Sequence, residues 1–294
     1  APKFPNFNLY DTLIYFYNNN KKEEYLSYTK SLLENICSKG IYDHIEGGIC
    51  RYTVDENWMI PHFEKMLYDN AQFVSLLSSY CLINSNGYFL KKIIQTIEFL
   101  NEQFKNEKFN LLGSAFDADS DGKEGKYYVF SFDEIKNIEN IKEYFEIKPE
   151  GNWEGKIILE EKKLPTNEII NKLLEIRNKR NKPFFDDKTQ LDLNCLWISA
   201  LIAANEIIPA KGYLKLAEEF FLLIDKRYLK SKIYHSYSKD IVFIEDYAFL
   251  INALNDLYDN TLNFKYKDLA SKLAKEAITK FYIKNKNIFQ KNQI

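Results

Sequence analysis

Side chains able to exchange protons are concentrated between Tyr42 and Tyr80. This stretch carries two histidines, several carboxylates, an arginine and a lysine, with a Gly-Gly pair ahead of an amphipathic helix. Polar groups of such variety at the start of a helix are typical of a site that faces a cavity. His62 and His44 are the first candidates for an acid–base pair, because imidazole titrates nearest to neutral pH.

The spacing predicts a helix over Pro61–Ile83, since proline has no N–H to lose at the first helical position. One face is mostly apolar and comprises Phe63, Met66, Leu67, Asn70, Phe73, Val74 and Leu77. His62, Lys65 and Asp69 fall on an adjoining polar face, where the positive helix end suits His62 as a neutral proton acceptor. The alternative is that His62 caps or packs and that Lys65 and Asp69 form a surface ion pair.

The loop ahead of this helix offers two binding groups. Arg51 can clamp a carboxylate or phosphate, or it can pair with Asp43 or Asp55, which is the more common outcome. Trp58 can serve as a stacking platform for a sugar, or as a core anchor, which is the default for a tryptophan.

The run from Asp117 through Asp119 to Gly122 resembles the first half of a calcium loop. Tyr128 stands where a calcium loop requires a bidentate glutamate, which argues against an EF-hand. A tight turn whose carboxylates accept backbone N–H groups is the more common structure, with another divalent-ion site as the alternative.

Loops in the second half carry further polar clusters. Asp187 and Asn194 stand at the entry to one helical pair, and Glu245 and Asp246 stand at the entry to the next. Acidic residues are in any case favoured in a first helical turn. His235 stands just ahead of the last pair, and an exposed loop histidine is the favoured interpretation.

Four helical pairs account for most of the chain. They are Tyr10–Asn18 with Tyr25–Ser38, Pro61–Ile83 with Tyr88–Phe104, Leu191–Ile207 with Tyr213–Tyr228, and Ile244–Tyr258 with Tyr266–Tyr282. If the pairs pack as a ring, their loops meet at one rim, and we expect His62, Asp69, Asp117 and Asp246 to share one cavity.

The segment 113–187 breaks this pattern and is interpreted as a small α/β insertion in a helical scaffold that occupies residues 1–294. Strand composition marks Lys126–Phe130 and Lys156–Leu159. Ser131 and Glu134 form a capping box. The basic stretch Arg177–Lys182 is interpreted as a solvated helix end.

Composition and charge argue against a nucleic-acid-binding protein and against a membrane-spanning one. The 294 residues are 46% hydrophobic, and the net charge of -2 gives no general attraction to nucleic acid or to anionic membranes. The longest apolar run, Cys195–Ala204, is too short to span a bilayer. The four cysteines form no C-x-x-C pair, which favours buried thiols in a reducing, cytoplasmic setting. The chain starts at Ala1 without a leader peptide and is expected to be a fragment of something longer.

Several motifs resemble one known family. They are Val54-Asp55-Glu56-x-Trp58, Pro61-His62-Phe63-Glu64-Lys65-Met66-Leu67-Tyr68-Asp69-Asn70-Ala71, Asp117-Ala118-Asp119-Ser120, Glu154-Gly155-Lys156 and Glu245-Asp246-Tyr247-Ala248. On these residues the chain resembles the thioredoxin-domain-containing proteins related to spermatogenesis-associated protein 20 and bacterial YyaL.

The resemblance implies an all-α fold, an (α/α) toroid of helical hairpins like that of six-hairpin glycosidases and N-acylglucosamine 2-epimerases. It also implies a thioredoxin-like domain elsewhere in the full-length protein. Six hairpins complete such a ring, so the four counted here predict an incomplete one. The chain departs from the family at Gln190–Cys195, where a tryptophan and a glycine are replaced and Asn194 alone remains.

The resemblance therefore implies a carbohydrate-related cavity with a small-molecule, sugar-like ligand and neither cofactor nor metal. The predicted catalytic residues are His62, His44, Asp69, Asp55 and Asp246. The predicted substrate-binding residues are Arg51, Trp58, Lys65, Tyr68, Asp117, Asp119, Asp187, Asn194 and Glu245. Epimerisation needs an acid–base pair, whereas hydrolysis needs two carboxylates. The alternatives are a non-catalytic domain that serves the thioredoxin-like module, and an inactive gene fragment.

Overall fold

A computed structural model describes residues 2–230, 232–237 and 241–291 of the chain. The chain divides into two compact units. The first comprises Ala1–Glu102 and Ala115–Asp186, and the second comprises Gln103–Ser114 and Asp187–Ile294. The segment predicted as an insertion, apart from its ends, thus belongs to the first unit.

Four long helices and three shorter ones build the first unit. The long helices are α1 (Phe7–Asn20), α2 (Glu23–Ser38), α3 (Leu67–Ile83) and α4 (Gly87–Gln103). The shorter ones are α5 (Phe132–Ile135), α6 (Ile141–Tyr144) and α7 (Asn167–Arg177). Helix α3 is apolar on most of its circumference and is buried accordingly, whereas the amphipathic α4 keeps one face in solvent.

The predicted helical start at Pro61 is wrong. Phe63 has a φ of 52°, which a right-handed helix does not accommodate. The segment instead runs beside an earlier loop, where the N–H of His62 donates to the carbonyl of Tyr52 and the N–H of Arg51 donates to the carbonyl of Glu64. Long-range pairing has therefore replaced the first turns of the predicted helix.

Short strands hold this segment in place. Strands β1 (Lys65–Met66), β2 (Ala115–Phe116) and β5 (Phe185–Asp186) form an antiparallel sheet with β2 in the middle. Both ends of the predicted insertion are thus fixed beside the start of α3.

A two-residue hairpin follows β2. Strands β3 (Asp119–Ser120) and β4 (Lys123–Glu124) pair across a turn at Asp121 and Gly122. Both turn residues have positive φ values, as a primed hairpin turn requires.

The strands predicted at Lys126–Phe130 and Lys156–Leu159 shrink to isolated bridges, one of them joining Phe130 to Ile157. The capping box of Ser131 and Glu134 is confirmed at the start of α5. A hydrophobic cluster packs beneath these loops and comprises Ile45, Phe130, Ile135, Ile141, Phe145, Ile147, Ile157, Leu159, Ile169 and Leu173.

The second unit contains two helical pairs close to the predicted bounds. They are α8 (Leu191–Ile207) with α9 (Tyr213–Ile224), and α10 (Ile244–Thr261) with α11 (Phe264–Phe281). Strands β6 (Tyr282–Ile283) and β7 (Ile288–Phe289) form a hairpin after α11. A 3₁₀ turn at Pro209–Lys211 precedes α9, and a π-helical turn at Asp225–Leu229 follows it.

Two predictions from composition agree with the structure, one on the burial of the cysteine thiols and one on membrane-spanning helices. Cys37, Cys50, Cys81 and Cys195 are all buried, and none of the four is in a disulfide. Across the described ranges, no helix has the length and apolar character that crossing a membrane requires.

Candidate functional site

Asp43 lies at the centre of a buried charge network in the first unit. One guanidinium nitrogen of Arg177 lies 2.9 and 2.8 Å from its two carboxylate oxygens, and Nζ of Lys65 lies 2.7 Å from the second. Burial alone would raise the pKa of Asp43, but Arg177 and Lys65 together hold it well below its usual range. Asp43 is therefore a buried anion with two cationic partners.

Two predictions fail at this network. Arg177 was expected in a solvated helix end, yet it is buried at the end of α7 and also contacts Glu46 at 3.1 Å. The alternative interpretation of Lys65, a surface pair with Asp69, is also wrong, because its ammonium group is buried and donates to Asp43 and to the carbonyl of Gly47. Both cations were misplaced because their partner lies far away in the sequence.

His44 belongs to a second buried cluster. Its Nε2 lies 3.0 Å from the carbonyl of Lys39, and its Nδ1 lies 3.3 Å from Nζ of Lys92, which pairs with Glu161 at 2.9 Å. Because a carbonyl only accepts, Nε2 carries the proton and Nδ1 accepts from Lys92. Burial and then Lys92 lower the pKa of His44, so the ring is neutral.

A cavity of about 20 Å³ lies beside Asp43, His44 and Arg177. Such a volume is enough for roughly one water molecule. These groups therefore have no room for a sugar, and the placement of His44 favours a structural role.

His62 has different surroundings. Its Nδ1 lies 2.7 Å from a carboxylate oxygen of Glu124 in β4, and its ring stacks on Tyr52 with centroids 4.9 Å apart. The side chain is partly exposed, and the backbone of residues 61–64 holds it in place through the pairing described above. Because a carboxylate accepts, Nδ1 carries a proton, and in the neutral form of the ring Nε2 then has the free lone pair.

A hollow of about 530 Å³ begins at Glu124. Its wall includes Trp153, Lys123, Lys156 and Arg180. Trp153 is held by the ring of Phe63, with centroids 5.2 Å apart. Small-molecule sites have volumes of roughly 300–1,000 Å³, so the hollow can hold a compact ligand against an aromatic surface.

Asp69 is a buried member of the predicted set, and its carboxyl group has a clearly shifted pKa. Burial raises its pKa to about 7, although nearby Arg51 opposes the shift. Among the described residues, nothing donates to its Oδ2. Arg51 pairs with Glu64 at 3.2 Å, not with Asp43 or Asp55 as expected. Tyr68 is partly buried beside Asp69 and Arg51.

Asp55 and Trp58 organise the loop between them. The carboxylate of Asp55 accepts from the backbone N–H groups of Asn57, Met59 and Ile60. Trp58 is buried, with Nζ of Lys3 lying 4.3 Å from its ring centroid. These contacts favour structural roles for both residues.

Asp117 and Asp119 occupy the hairpin region. A carboxylate oxygen of Asp117 accepts from the N–H of Ala118, and Asp119 is an exposed residue of β3. The described part of this hairpin holds no group of three side chains able to ligate a metal.

In the second unit, Asn194 and Asp187 hold backbone segments together. The Asn194 side chain accepts from the N–H of Leu112 and donates to its carbonyl. Asp187 accepts from the side chain of Asn106 at 3.2 Å. Both are tied to residues 103–114, which favours structural roles.

His235 is not the exposed loop residue expected from the sequence, because its side chain is mostly covered. Its Nδ1 lies 2.8 Å from the buried carboxylate of Asp246 and 3.8 Å from Asp192. The other carboxylate oxygen of Asp246 accepts from the N–H of Phe243 at the start of α10. Glu245, which was predicted to bind substrate, lies in the same first turn of α10.

The four residues expected in one cavity have separate partners. His62, Asp69 and Asp117 lie in the first unit and Asp246 in the second, so their common cavity stays a prediction. Sequence reasoning missed Glu124 and Trp153 as site residues. The Asp-Gly turn ahead of Glu124 is a hairpin signal that could have placed it opposite Asp119.

No family model matches the chain. An uncharacterised protein of Caenorhabditis elegans is 28% identical, with the match covering 96% of this chain and 47% of that protein. Human spermatogenesis-associated protein 20 is 23% identical, with 93% of this chain and 43% of that protein covered. The chain thus spans about half the length of the curated relatives it matches.

Solved structures with a similar fold include an α-mannanase of glycoside hydrolase family 76 from Bacteroides thetaiotaomicron. It has a TM-score of 0.63 and 12% identity, and the match covers 100% of this chain and 62% of that one. A D-mannose isomerase has a TM-score of 0.60 and 14% identity, with 99% and 64% covered. The chain is therefore similar in sequence to spermatogenesis-associated protein 20, and it has the predicted α/α toroid fold that the six-hairpin glycosidases and the D-mannose isomerase share.

Proposed function

We propose that this chain is a carbohydrate-active domain in which His62 moves a proton on a small sugar, and that the sugar lies in the hollow lined by its partner Glu124. The observation that carries the proposal is the 2.7 Å contact between Nδ1 of His62 and Glu124, a residue that also lines the hollow. The similarity to sugar-processing enzymes of the same fold supports it.

The pair has the arrangement of an oriented base. Glu124 accepts from Nδ1–H, which fixes the tautomer and leaves the Nε2 lone pair of His62 to take a proton. An open-chain sugar can lose a proton from the carbon next to its carbonyl group and regain one there or on the neighbouring carbon. Such isomerisation or epimerisation needs no external oxidant.

The hollow supplies groups that suit a sugar. Trp153 offers an aromatic surface for the apolar face of a sugar ring. Lys123 and Lys156 can donate to hydroxyl groups, and neither has a carboxylate partner among the described residues. As a further part of the proposal, the domain accompanies a thioredoxin-like module in a longer, cytoplasmic protein, as the resemblance implies.

The test is exchange of the sugar C–H proton with solvent deuterium, followed by NMR over a panel of aldoses and N-acyl hexosamines. We expect His62→Ala and Glu124→Gln to reduce exchange by about 10²–10⁴-fold, and Trp153→Ala mainly to raise KM. Glu143→Gln, which alters a surface pair with Lys163, is the matched control.

Exchange that persists in His62→Ala would overturn the proposed base. Sugar binding without exchange in the wild-type protein would favour a non-catalytic binding domain.

A further inference from the structure

Three side chains of metal-binding type converge in the second unit. Asp192 lies in the first turn of α8, Asp246 lies in the first turn of α10, and His235 precedes α10. One ligand atom from each lies within 4.8 Å of the other two. Imidazole nitrogen and carboxylate oxygen are the ligands that zinc and similar divalent ions take in proteins.

Hydrogen bonding outside this trio determines which nitrogen of His235 carries a proton. The hydroxyl of Ser114 lies 2.7 Å from the carbonyl of Lys188 and 2.7 Å from the side-chain amide of Gln190. A serine hydroxyl has a single proton, which the Lys188 carbonyl takes because it can only accept. Gln190 must therefore present its NH₂ group to Ser114 and its carbonyl oxygen to the opposite side.

With the amide so oriented, the oxygen of Gln190 faces Nε2 of His235 at 2.8 Å. Nε2 then donates to Gln190, and Nδ1 faces Asp246 and Asp192. A nitrogen lone pair and two carboxylates repel one another unless a positive charge lies between them. The cluster is therefore arranged around a cation, either a proton on Nδ1 or a metal ion.

We propose that Asp192, His235 and Asp246 form a binding site for one divalent transition-metal ion of the zinc type. Three protein ligands leave a coordination position open, as in zinc sites that bind a further ligand. Gln190 acts as the outer partner that orients a metal-binding histidine through its second nitrogen. The site involves neither His62 nor Glu124, so the test of the metal site is independent of the test of the proposed sugar chemistry.

The test is uptake of zinc, manganese and magnesium by the full chain after chelator treatment. Isothermal titration gives the stoichiometry, and Co²⁺ absorption reports the coordination. We expect one zinc ion per chain and weaker binding of magnesium. His235→Gln and Asp192→Asn should abolish or strongly weaken uptake, and Gln190→Ala should weaken it about 10–100-fold.

Asp259→Asn, on the exposed side of α10, is the matched control and should bind zinc as the wild type does. Because Asp246 also caps α10, the wild-type titration and the Asp192 variant carry the test even if Asp246 variants fail to fold. Absence of uptake by the wild type, or unchanged uptake in Asp192→Asn, would show that the cation is only a proton and would overturn the metal site.

Discussion

Arg177 and Asp43 lie 134 residues apart, yet one guanidinium nitrogen contacts both oxygens of the carboxylate. The pair joins the end of α7 to the loop that follows α2. Since Lys65 contacts the same carboxylate, one anion fixes three separate stretches of the first unit.

Removing Arg177 should therefore destabilise the first unit strongly. Loss of one partner from a buried pair costs about 3–5 kcal/mol, because the remaining charge stays buried. We expect this loss for Arg177→Met in urea unfolding. Lys172→Met, which removes a surface pair with Glu168, should cost far less, because solvent screens an exposed pair. Equal losses in the two variants would contradict the interpretation.

Asp69 should make stability depend on pH. Its folded pKa of about 7 lies well above the ordinary pKa of an aspartate, so the folded protein binds this proton more tightly than the unfolded chain does. The contribution is complete below the unfolded pKa and is lost as the pH rises through about 7.

Asp69→Asn should remove this dependence. Between pH 4 and 8 the wild type should lose on the order of 4 kcal/mol relative to the variant, measured by urea unfolding at each pH. Coincident pH profiles for the two proteins would show that the Asp69 pKa is ordinary.

His44 should stay neutral under mildly acidic conditions. Burial and Lys92 lower its folded pKa, so the unfolded chain takes up this proton more readily. Stability from this group is present above the unfolded pKa and falls as the pH drops below it. Nitrogen NMR at pH 6 should show a neutral ring protonated at Nε2, and an imidazolium signal would refute this assignment.

Two glycines provide a matched test of the hollow. Gly125 and Gly122 have similar φ values of 67° and 69°. A Cβ on Gly125 would lie 2.5 Å from the ring of Phe63, whereas one on Gly122 meets open space. Gly122→Ala should cost about 1–2 kcal/mol from backbone strain. Gly125→Ala should cost more and should shift Trp153, which rests on Phe63.

Unfolding free energies and Trp153 fluorescence would check both effects. A Gly125 variant that matches the Gly122 variant in both measurements would show that Phe63 yields without cost.

Local sequence patterns predicted the helices whose buried residues recur at helical spacing. The bounds of α8 agree fully with its apolar pattern, Leu191–Ile207. The same reasoning failed at Pro61–Met66. There Phe63 has a left-handed backbone, and pairing to residues 51–54 overrides the helical spacing of the sequence.

The candidate site was harder to predict because its contacts are long-range. His62 was identified from its type and setting, but its partner Glu124 lies 62 residues away. Arg177 was assigned to solvent because nothing in its neighbours signals a buried anion. Side-chain pairing across such separations depends on the tertiary fold, which local periodicity does not encode.

Strands β1, β2 and β5 bring the two ends of the segment 115–186 next to each other. A segment of a different length could therefore connect those two ends without displacing α3. Glu161 would leave with the original segment, however, and the ammonium group of Lys92 would remain in the interior without its counter-ion. Homologues that lack this segment are therefore expected to have exchanged the lysine for an uncharged residue, so the two changes should be inherited together.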